Sequence, residues 1–500
     1  MDIFANLAHG FSVALSPGVL WYAVLGCVVG TLVGVLPGLG PLAGMSLLLP
    51  LTYGISPTNA IVLLGGIYYG AMYGGSTTSI LMRIPGEAAS VVTCIDGYEM
   101  ARKGRAGPAL AVAALGSFVA GTLSLVALML VAPQVARIAL LFGPAEYVGL
   151  LSLGLVLLAF LAEGSRVKAA AMALLGLTLG MIGIDPLTAH GRLMFDIPEL
   201  SDGLGLVPMA VGLFGLSEVL LSVSSKQPQA MAAPKLRDLI LSREDIKRSA
   251  GPTLRGTALG FVIGIIPGSA HVISSFLSYA VEKRLSSRPE EFGKGAIEGV
   301  AGPESANNAA ACSAFVPMLA LGIPGGAVPA VMLAAMMTHG VSPGPNLITD
   351  HPDLYWGFIA SMYVGNLVLL ILNLPMVGLF VSVLRVPYSI LYPVIIMTCI
   401  IGVYSINSSV FELWIMFVAG IVGYFFRRNG YDPAPLILGL VLAPMFEMSL
   451  RQALTLSSGS FSIFIDRPVA AILLLMAFGL AVISIVTSIS RKKLTQENSA

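Results

Sequence analysis

Long apolar stretches alternate with short polar ones along the chain, and two of the apolar stretches are broken by the same motif. The segment GTLVGVLPG at residues 30–38 recurs as GFVIGIIPG at residues 260–268. A Pro-Gly pair interrupts a helix, because proline has no backbone N–H and glycine is conformationally permissive. We therefore predict two related halves, each with a broken apolar helix, which is an arrangement typical of secondary transporters.

Each break separates two apolar arms. The arms cover residues 17–36 and 42–51 in the first half and 252–266 and 270–280 in the second. Three of these four arms, of 10, 15 and 11 residues, are shorter than the roughly 20 helical residues that cross a bilayer. We predict that each half opens with a helical hairpin that enters and leaves on one side of the membrane. A single kinked span is the alternative.

Positive charges orient the two hairpins in opposite directions. Cytoplasmic loops of membrane proteins are enriched in Lys and Arg. No Lys or Arg precedes Arg83, whereas basic residues lie on both sides of the second hairpin, within 226–248 and 283–294. The loop at 83–105 is basic, and its counterpart near 337–353 has no Lys or Arg. We therefore predict that 83–105 is cytoplasmic, that 337–353 is external, and that the two halves are inverted.

Inversion requires an odd number of spans between the hairpins, and the apolar pattern supplies five there. The predicted spans are 57–82, 106–132, 143–162, 167–184, 204–224, 298–336, 354–384, 388–407, 411–426, 434–449 and 468–489. The predicted fold is an all-α polytopic integral membrane protein with two inverted repeats, about 11 transmembrane helices plus two helical hairpins. The first membrane repeat is 1–224, a cytoplasmic basic linker is 225–250, the second membrane repeat is 251–490, and the cytoplasmic tail is 491–500.

Composition supports a membrane protein and gives no sign of an enzyme. The 500 residues are 56% hydrophobic and only 11% charged, with a mean hydropathy of +0.89, whereas soluble domains carry about 25% charged residues. The four cysteines have no CxxC spacing, so neither a metal site nor a disulfide framework is indicated. The chain has no P-loop and no HExxH motif, so no catalytic residues and no nucleic-acid partner are expected.

Two polar clusters follow the hairpins inside apolar sequence. The first is YYGAMYGGSTTS at 68–79, followed by Ile-Pro-Gly at 84–86, and the second is ESANN at 304–308, followed by Ile-Pro-Gly at 323–325. Irregular backbone in a bilayer must line a cavity or be buried in protein. Small hydroxyl and amide residues beside glycines are suited to hold a carboxylate or Na⁺. Tight helix packing by small polar residues is the alternative.

These clusters and breaks define the predicted site. We predict that the solute contacts Gly38, Leu39, Gly40, Gly74, Gly75, Ser76, Gly268, Ser269, His271, Asn307, Asn308 and Gly325. Candidate Na⁺ ligands are Thr77, Glu304, Asn308 and Ser313. Ionisable groups within spans are costly and functional by default, so Glu304 is a cation ligand, a proton carrier or the cap of its helix. Na⁺ or H⁺ is expected as the coupling ion, with no other cofactor.

Several motifs, in order, resemble the large membrane subunit of the tripartite tricarboxylate transporters, the TctA family. They are GVLPGLGP at 34–41, YGGSTTS at 73–79, IPGE at 84–87, DGY at 96–98, FGKGAIEGV at 292–300, PESANN at 303–308 and LGIPG at 321–325. The resemblance implies a secondary transporter of the bacterial inner membrane that takes up a tricarboxylate, dicarboxylate or similar organic anion by cation symport.

The resemblance also implies partners. These are a small four-helix membrane subunit and a periplasmic solute-binding protein that delivers the carboxylate, besides the surrounding membrane lipid. The alternatives are an organic-anion channel or exporter and, from another class, a membrane-embedded enzyme acting on lipid.

Overall fold

The fold is almost entirely helical. The computed structural model describes residues 3–36, 39–161, 165–185, 188–222, 234–268, 270–383 and 388–497. Within these residues six helices are long and apolar enough to cross a membrane, among them 17–35, 106–139 and 352–373. Helices satisfy their own backbone hydrogen bonds, as a bilayer requires. The prediction of an all-α membrane protein is confirmed; the number of spans and the inversion stay predictions.

The described residues of the first half form ten α-helices. They are α1 (Ile3–Ala14), α2 (Pro17–Val35), α3 (Gly40–Leu48), α4 (Pro57–Met82), α5 (Val91–Arg102), α6 (Ala106–Ala139), α7 (Pro144–Leu161), α8 (Arg166–Leu179), α9 (Leu206–Ala210) and α10 (Ser217–Ser222). A π-helical stretch, Val211–Leu216, joins α9 to α10. Two-residue strands β1 (Gly183–Ile184) and β2 (Gly191–Arg192) form an antiparallel pair. Short 3₁₀ turns cover Leu49–Thr52, Ala88–Ser90 and Pro198–Leu200.

The second half contains thirteen more. They are α11 (Arg243–Gly264), α12 (Ala270–Leu285), α13 (Glu298–Ser313), α14 (Phe315–Leu321), α15 (Ala327–Thr338), α16 (Leu347–Asp350), α17 (Pro352–Asn373), α18 (Val377–Val383), α19 (Tyr388–Asn407), α20 (Val410–Arg428), α21 (Ala434–Leu456), α22 (Ile463–Asp466) and α23 (Pro468–Glu497). Further 3₁₀ turns cover Leu236–Leu239 and Pro289–Glu291. Helix α11 begins inside the range predicted as a linker.

Four predicted segments differ from the structure. The segment 354–384, predicted as one span, is divided into α17 and α18 by a turn at 374–376. The segment 298–336, predicted as one span, is divided into α13, α14 and α15 by turns at Ala314 and at 322–326. The segment 83–105, predicted as a loop, contains α5. Helix α8 stops at Leu179, short of the predicted 184, because the chain turns there into the β1–β2 pair. The apolar pattern had also given no prediction for α1.

After α4 the chain folds back along that helix. Arg83 ends α4 with a left-handed backbone (φ 59°). Gly86 then reaches Gly75, about two helical turns before the end of α4, so closely that a Cβ at Gly86 would overlap the Gly75 Cα. The chain next returns through α5. The Ile-Pro-Gly triplet at 84–86 therefore lies inside the protein, where the folded-back segment reaches furthest along α4, and not in an exposed loop.

The second half repeats this course after α14. Gly322 ends the helix with a left-handed backbone (φ 71°), and Gly325 then reaches Ala314, where a Cβ would lie 3.0 Å from the Ala314 Cα. The Gly268 N–H, in the second break, donates a hydrogen bond to the Gly325 carbonyl at 3.0 Å. In the first half, a Cβ at Gly40 would lie 3.3 Å from the Gly86 carbonyl oxygen. Each triplet thus lies against the break of its own half.

The repeated glycines explain how the breaks are held. Helix α2 packs on α4, and α11 packs on α13, with backbone against backbone. A Cβ on the α2 glycines would collide with carbonyl oxygens of α4, and a Cβ on the α11 glycines with those of α13; the glycines are Gly26, Gly30, Gly34, Gly256, Gly260 and Gly264. Small residues four apart permit this close approach of membrane helices.

The segments predicted to be cytoplasmic meet at one end of the molecule. The Lys103 ammonium donates to the Lys294 carbonyl at 2.5 Å, and Arg105 pairs with Asp245. These contacts lie beyond the carboxyl end of α4. Beyond its amino end, Thr52 contacts His339 at 3.3 Å, which belongs to the segment predicted to be external. The 26 residues of α4 separate the two groups by about 39 Å.

Substituting the contact glycines should destabilise the protein. We expect Gly30→Ala and Gly260→Ala each to lower stability by about 1–3 kcal/mol, because the added methyl pushes two backbones apart. Gly18→Ala is the matched control, since nothing lies within 4 Å of that position on the same helix α2. The melting temperature of each variant in detergent is measured, with size-exclusion chromatography as the readout of the folded fraction after heating. Equal melting temperatures for all three variants would contradict this packing.

Candidate functional site

A cavity of about 370 Å³ lies where the two breaks and the two folded-back triplets meet. Leu39 and Gly40 line it from the first break, and Gly268 lines it from the second. The triplets contribute the segments 85–86 and 325–326. The volume falls within the range of about 300–1,000 Å³ that is usual for small-molecule sites.

Four helices begin at the wall of this cavity. The first residues of α3, α12, α15 and α21 all line it, and each of these helices is at least nine residues long. The amino end of a helix carries a partial positive charge and free backbone N–H groups. Their convergence makes the cavity electrostatically suited to an anion.

One full positive charge adds to these dipoles. Arg427, at the end of α20, is the only Arg or Lys among the described residues that line the cavity. Its guanidinium also pairs with the carboxylate of Glu218 on α10. The predicted site did not include Arg427, because nothing in the sequence around it shows that the fold directs it inward.

The predicted solute residues are divided by the structure. Leu39, Gly40, Gly268, His271 and Gly325 line the cavity, whereas Gly38 and Ser269 lie outside the described residues. Gly75 lies just behind the wall, where a Cβ would be 3.4 Å from Gly86 and Glu87. Gly74 packs on α2 instead. Ser76, Asn307 and Asn308 belong to a buried polar cluster beside the cavity.

That cluster is centred on Glu304, which is 1% exposed. Its Oε2 accepts a hydrogen bond from the Ser76 hydroxyl at 2.6 Å, and its Oε1 accepts one from the Thr93 hydroxyl. The carboxylate thus joins α13 of the second half to α4 and α5 of the first. Because α13 begins at Glu298, Glu304 lies inside the helix, and the alternative that it caps the helix is wrong.

The other candidate cation ligands are not all close to Glu304. Asn308 donates to the Ser117 hydroxyl at 2.7 Å and to the Glu304 carbonyl at 3.1 Å. Thr77 shares a small space with Ser76 and Ser117. Ser313 instead packs against Gly264 on α11 and donates to the Ala310 carbonyl at 3.3 Å. The structure therefore brings three of the four predicted ligands to one region and places Ser313 elsewhere.

Glu87 is a cavity residue that the site prediction omitted. It follows the first triplet, is 9% exposed and lines the cavity. Its Oε1 accepts a hydrogen bond from the Asn307 amide at 2.5 Å, whereas Glu87 Oε2 and Asn307 Oδ1 are buried without a partner. The prediction that 83–105 is an exposed loop concealed this residue. The sequence did contain one indication of it. Glu87 directly follows the Ile-Pro-Gly triplet at 84–86, and the matching triplet at 323–325 lies in apolar sequence.

A helical membrane protein whose interrupted helices meet at an internal cavity has an architecture typical of transporters. Residues 20–438 match the model of the tripartite tricarboxylate transporter TctA family. The chain belongs to this family, so the resemblance noted in the sequence is confirmed. It is a component of a tripartite tricarboxylate transport system.

Two relatives from Agrobacterium vitis are similar over long stretches. One, described as an uncharacterized 52.8 kDa protein in the TAR-I ttuC' 3' region, is 49% identical over 493 residues, which is 99% of this chain and 98% of the relative. The other, described as an uncharacterized protein in the TAR-II ttuC' 3' region, is 50% identical over 234 residues, 47% of this chain and 97% of the relative. No solved structure matches the chain significantly.

The hydrogen bond between Ser76 and Glu304 should be measurable by a double-mutant cycle. We expect Ser76→Ala and Glu304→Gln each to be destabilising, with a coupling energy of about 1.5–3 kcal/mol, because a hydrogen bond to a charged group is lost in both. Ser79→Ala is the control on the same helix, since its hydroxyl donates to the Gly75 carbonyl at 2.9 Å and not to Glu304. The free energy of unfolding in SDS is the measurement. Additive effects would show that the bond contributes nothing.

Proposed function

We propose that this chain is the large transmembrane subunit of a binding-protein-dependent secondary transporter that takes up a carboxylate by cation symport across the bacterial inner membrane. The solute is a tricarboxylate, a dicarboxylate or a similar organic anion. Membership of the family supports transport. The cavity lined by four helix amino ends and Arg427 supports an anionic solute.

The proposal includes the partners and the energy source. A periplasmic solute-binding protein delivers the carboxylate, and a small four-helix membrane subunit completes the complex. Na⁺ or H⁺ supplies the driving force, without another cofactor and without an enzymatic step. The two halves act as inverted repeats, which is supported by the matched packing of α2 on α4 and of α11 on α13.

Uptake by reconstituted vesicles tests the function. The vesicles contain this chain and its small subunit, the binding protein is added outside, and radiolabelled dicarboxylates and tricarboxylates are screened under an imposed Na⁺ or H⁺ gradient. We expect accumulation of one solute that requires both the gradient and the binding protein. Uptake that ignores both gradients, or that proceeds equally well without the binding protein, would instead indicate a channel.

In the same assay, Arg427→Gln should raise KM at least tenfold, because it removes the full positive charge that faces the solute. Arg428→Gln is the matched control, since the exposed Arg428 lies over the Tyr424 ring and does not line the cavity. Rates are normalised to folded protein, because Arg427 also pairs with the buried Glu218. A lower yield of folded protein with an unchanged KM would show that Arg427 only stabilises the fold.

The inverted topology has its own test. We expect Asp350→Cys to react with a membrane-impermeant maleimide in intact spheroplasts, and Lys103→Cys to react only after permeabilisation. Background labelling should be low, because all four native cysteines are buried. Labelling of both positions from the outside would rule out the proposed orientation.

A further inference from the structure

We propose that Glu87 is the proton carrier of this transporter and that the coupling ion is therefore H⁺. The carboxyl group of Glu87 carries one proton inward with each solute molecule. The inference rests on the proposed function and goes beyond it by naming the ion and the residue. It is carried by the position of Glu87 in the cavity wall and by two buried atoms that lack partners.

Glu87 lies where the cavity, the first break and the other half of the protein meet. Glu87 follows Gly86 at the deep end of the folded-back segment, where that segment contacts the first break at Gly40. Its side chain lines the cavity. It also bonds to Asn307 on α13 of the other half. A change in the charge of Glu87 therefore acts on the solute and on the contact between the halves.

One proton would satisfy the two partnerless atoms together. The Asn307 amide already donates to Glu87 Oε1 at 2.5 Å, and Glu87 Oε2 and Asn307 Oδ1 are both acceptors without a donor. Buried acceptors without donors are costly. With a proton on Oε2, the acid donates to Oδ1 while the amide donates to Oε1, and both groups are satisfied. When that proton leaves, Glu87 becomes a carboxylate with a single hydrogen bond.

Glu304 is the less suitable carrier. Both of its oxygens already accept hydrogen bonds from hydroxyl groups, those of Ser76 and Thr93, and it does not line the cavity. The charged or titratable groups around Glu87 are Glu304 on α13, Tyr68 on α4, His271 on α12, and Arg427 and Asp432 in the cavity wall. On α5, Asp96 is bonded to Gly295 and Ala296 instead. Among the acids that line the cavity, Glu87 is the one with a buried carboxylate oxygen that lacks a partner.

Electrostatics then link the proton to the solute. An ionised Glu87 repels a carboxylate solute in a site of low dielectric constant, and protonation removes that repulsion. The solute and the proton therefore bind cooperatively, and each strengthens the binding of the other by the same factor. The proton binds from the external solution, crosses with the solute and is released to the cytoplasm, so that each cycle moves one proton inward.

The substitution Glu87→Gln distinguishes solute exchange across the membrane from accumulation of the solute driven by protons. Its amide can donate to Asn307 Oδ1 and accept from Asn307 Nδ2, so it reproduces the neutral acid and should fold normally. In vesicles with the small subunit and the binding protein, we expect solute counterflow to stay within twofold of wild type. Accumulation driven by a pH gradient, and the proton influx reported by an internal pH dye, should both fall to background.

Two further variants complete the design. Glu87→Asp keeps a titratable group and should retain pH-driven accumulation at a reduced rate. Glu290→Gln is the matched control, because Glu290 is exposed in a short turn and should behave as wild type in every arm.

Three results would overturn the inference. They are pH-driven accumulation by Glu87→Gln, wild-type accumulation that responds only to Na⁺, and loss of counterflow together with accumulation in a folded Glu87→Gln protein. The last of these would make Glu87 a structural or solute-binding residue. Absence of counterflow in the wild type with every carboxylate would instead contradict the proposed function itself, and the proton role with it.

Discussion

The close approach of two helix pairs is the constraint on which the rest of the structure depends. Helices α2 and α11 pack on α4 and α13 with glycines against carbonyl oxygens, which leaves no room for a side chain between them. Because these contacts continue to Gly34 and Gly264, they hold the ends of α2 and α11, which precede the Pro-Gly breaks, at matching positions beside their partner helices. The folded-back triplets then reach the breaks, and the cavity is the space that remains between them.

The same packing accounts for the electrostatics of the cavity. A helix that is broken inside the protein leaves an amino end without intrahelical partners, and such ends are positive. The amino ends of α3 and α12, which follow the breaks, meet here with those of α15 and α21 and with Arg427. The buried acids Glu87 and Glu304 lie on one side of this positive region and hold the two halves together through Asn307, Ser76 and Thr93. The proposed anion site and the proposed proton carrier therefore lie next to each other in the wall of one cavity.

The buried acids join the two halves through residues that differ between them, although the backbone course repeats. Glu304 on α13 accepts hydrogen bonds from Ser76 on α4 and Thr93 on α5. Asp96 on α5 is likewise buried and accepts hydrogen bonds from the N–H groups of Gly295 and Ala296 and from the Tyr279 hydroxyl. The repeated backbone course therefore shapes the cavity, whereas each of these acids is held by donors from the other half.

The sequence by itself determined the class of protein, the two breaks, most of the helices and the family, because hydropathy, proline and glycine act locally and leave a readable pattern. It also indicated Glu304 and the residues at the breaks. Only the tertiary structure decided that 83–105 folds back into the protein and that Glu87 and Arg427 face the cavity. The physical reason is that a folded-back segment is stabilised by contacts with distant glycines and helices. The local sequence of such a segment therefore does not distinguish an exposed loop from a buried turn.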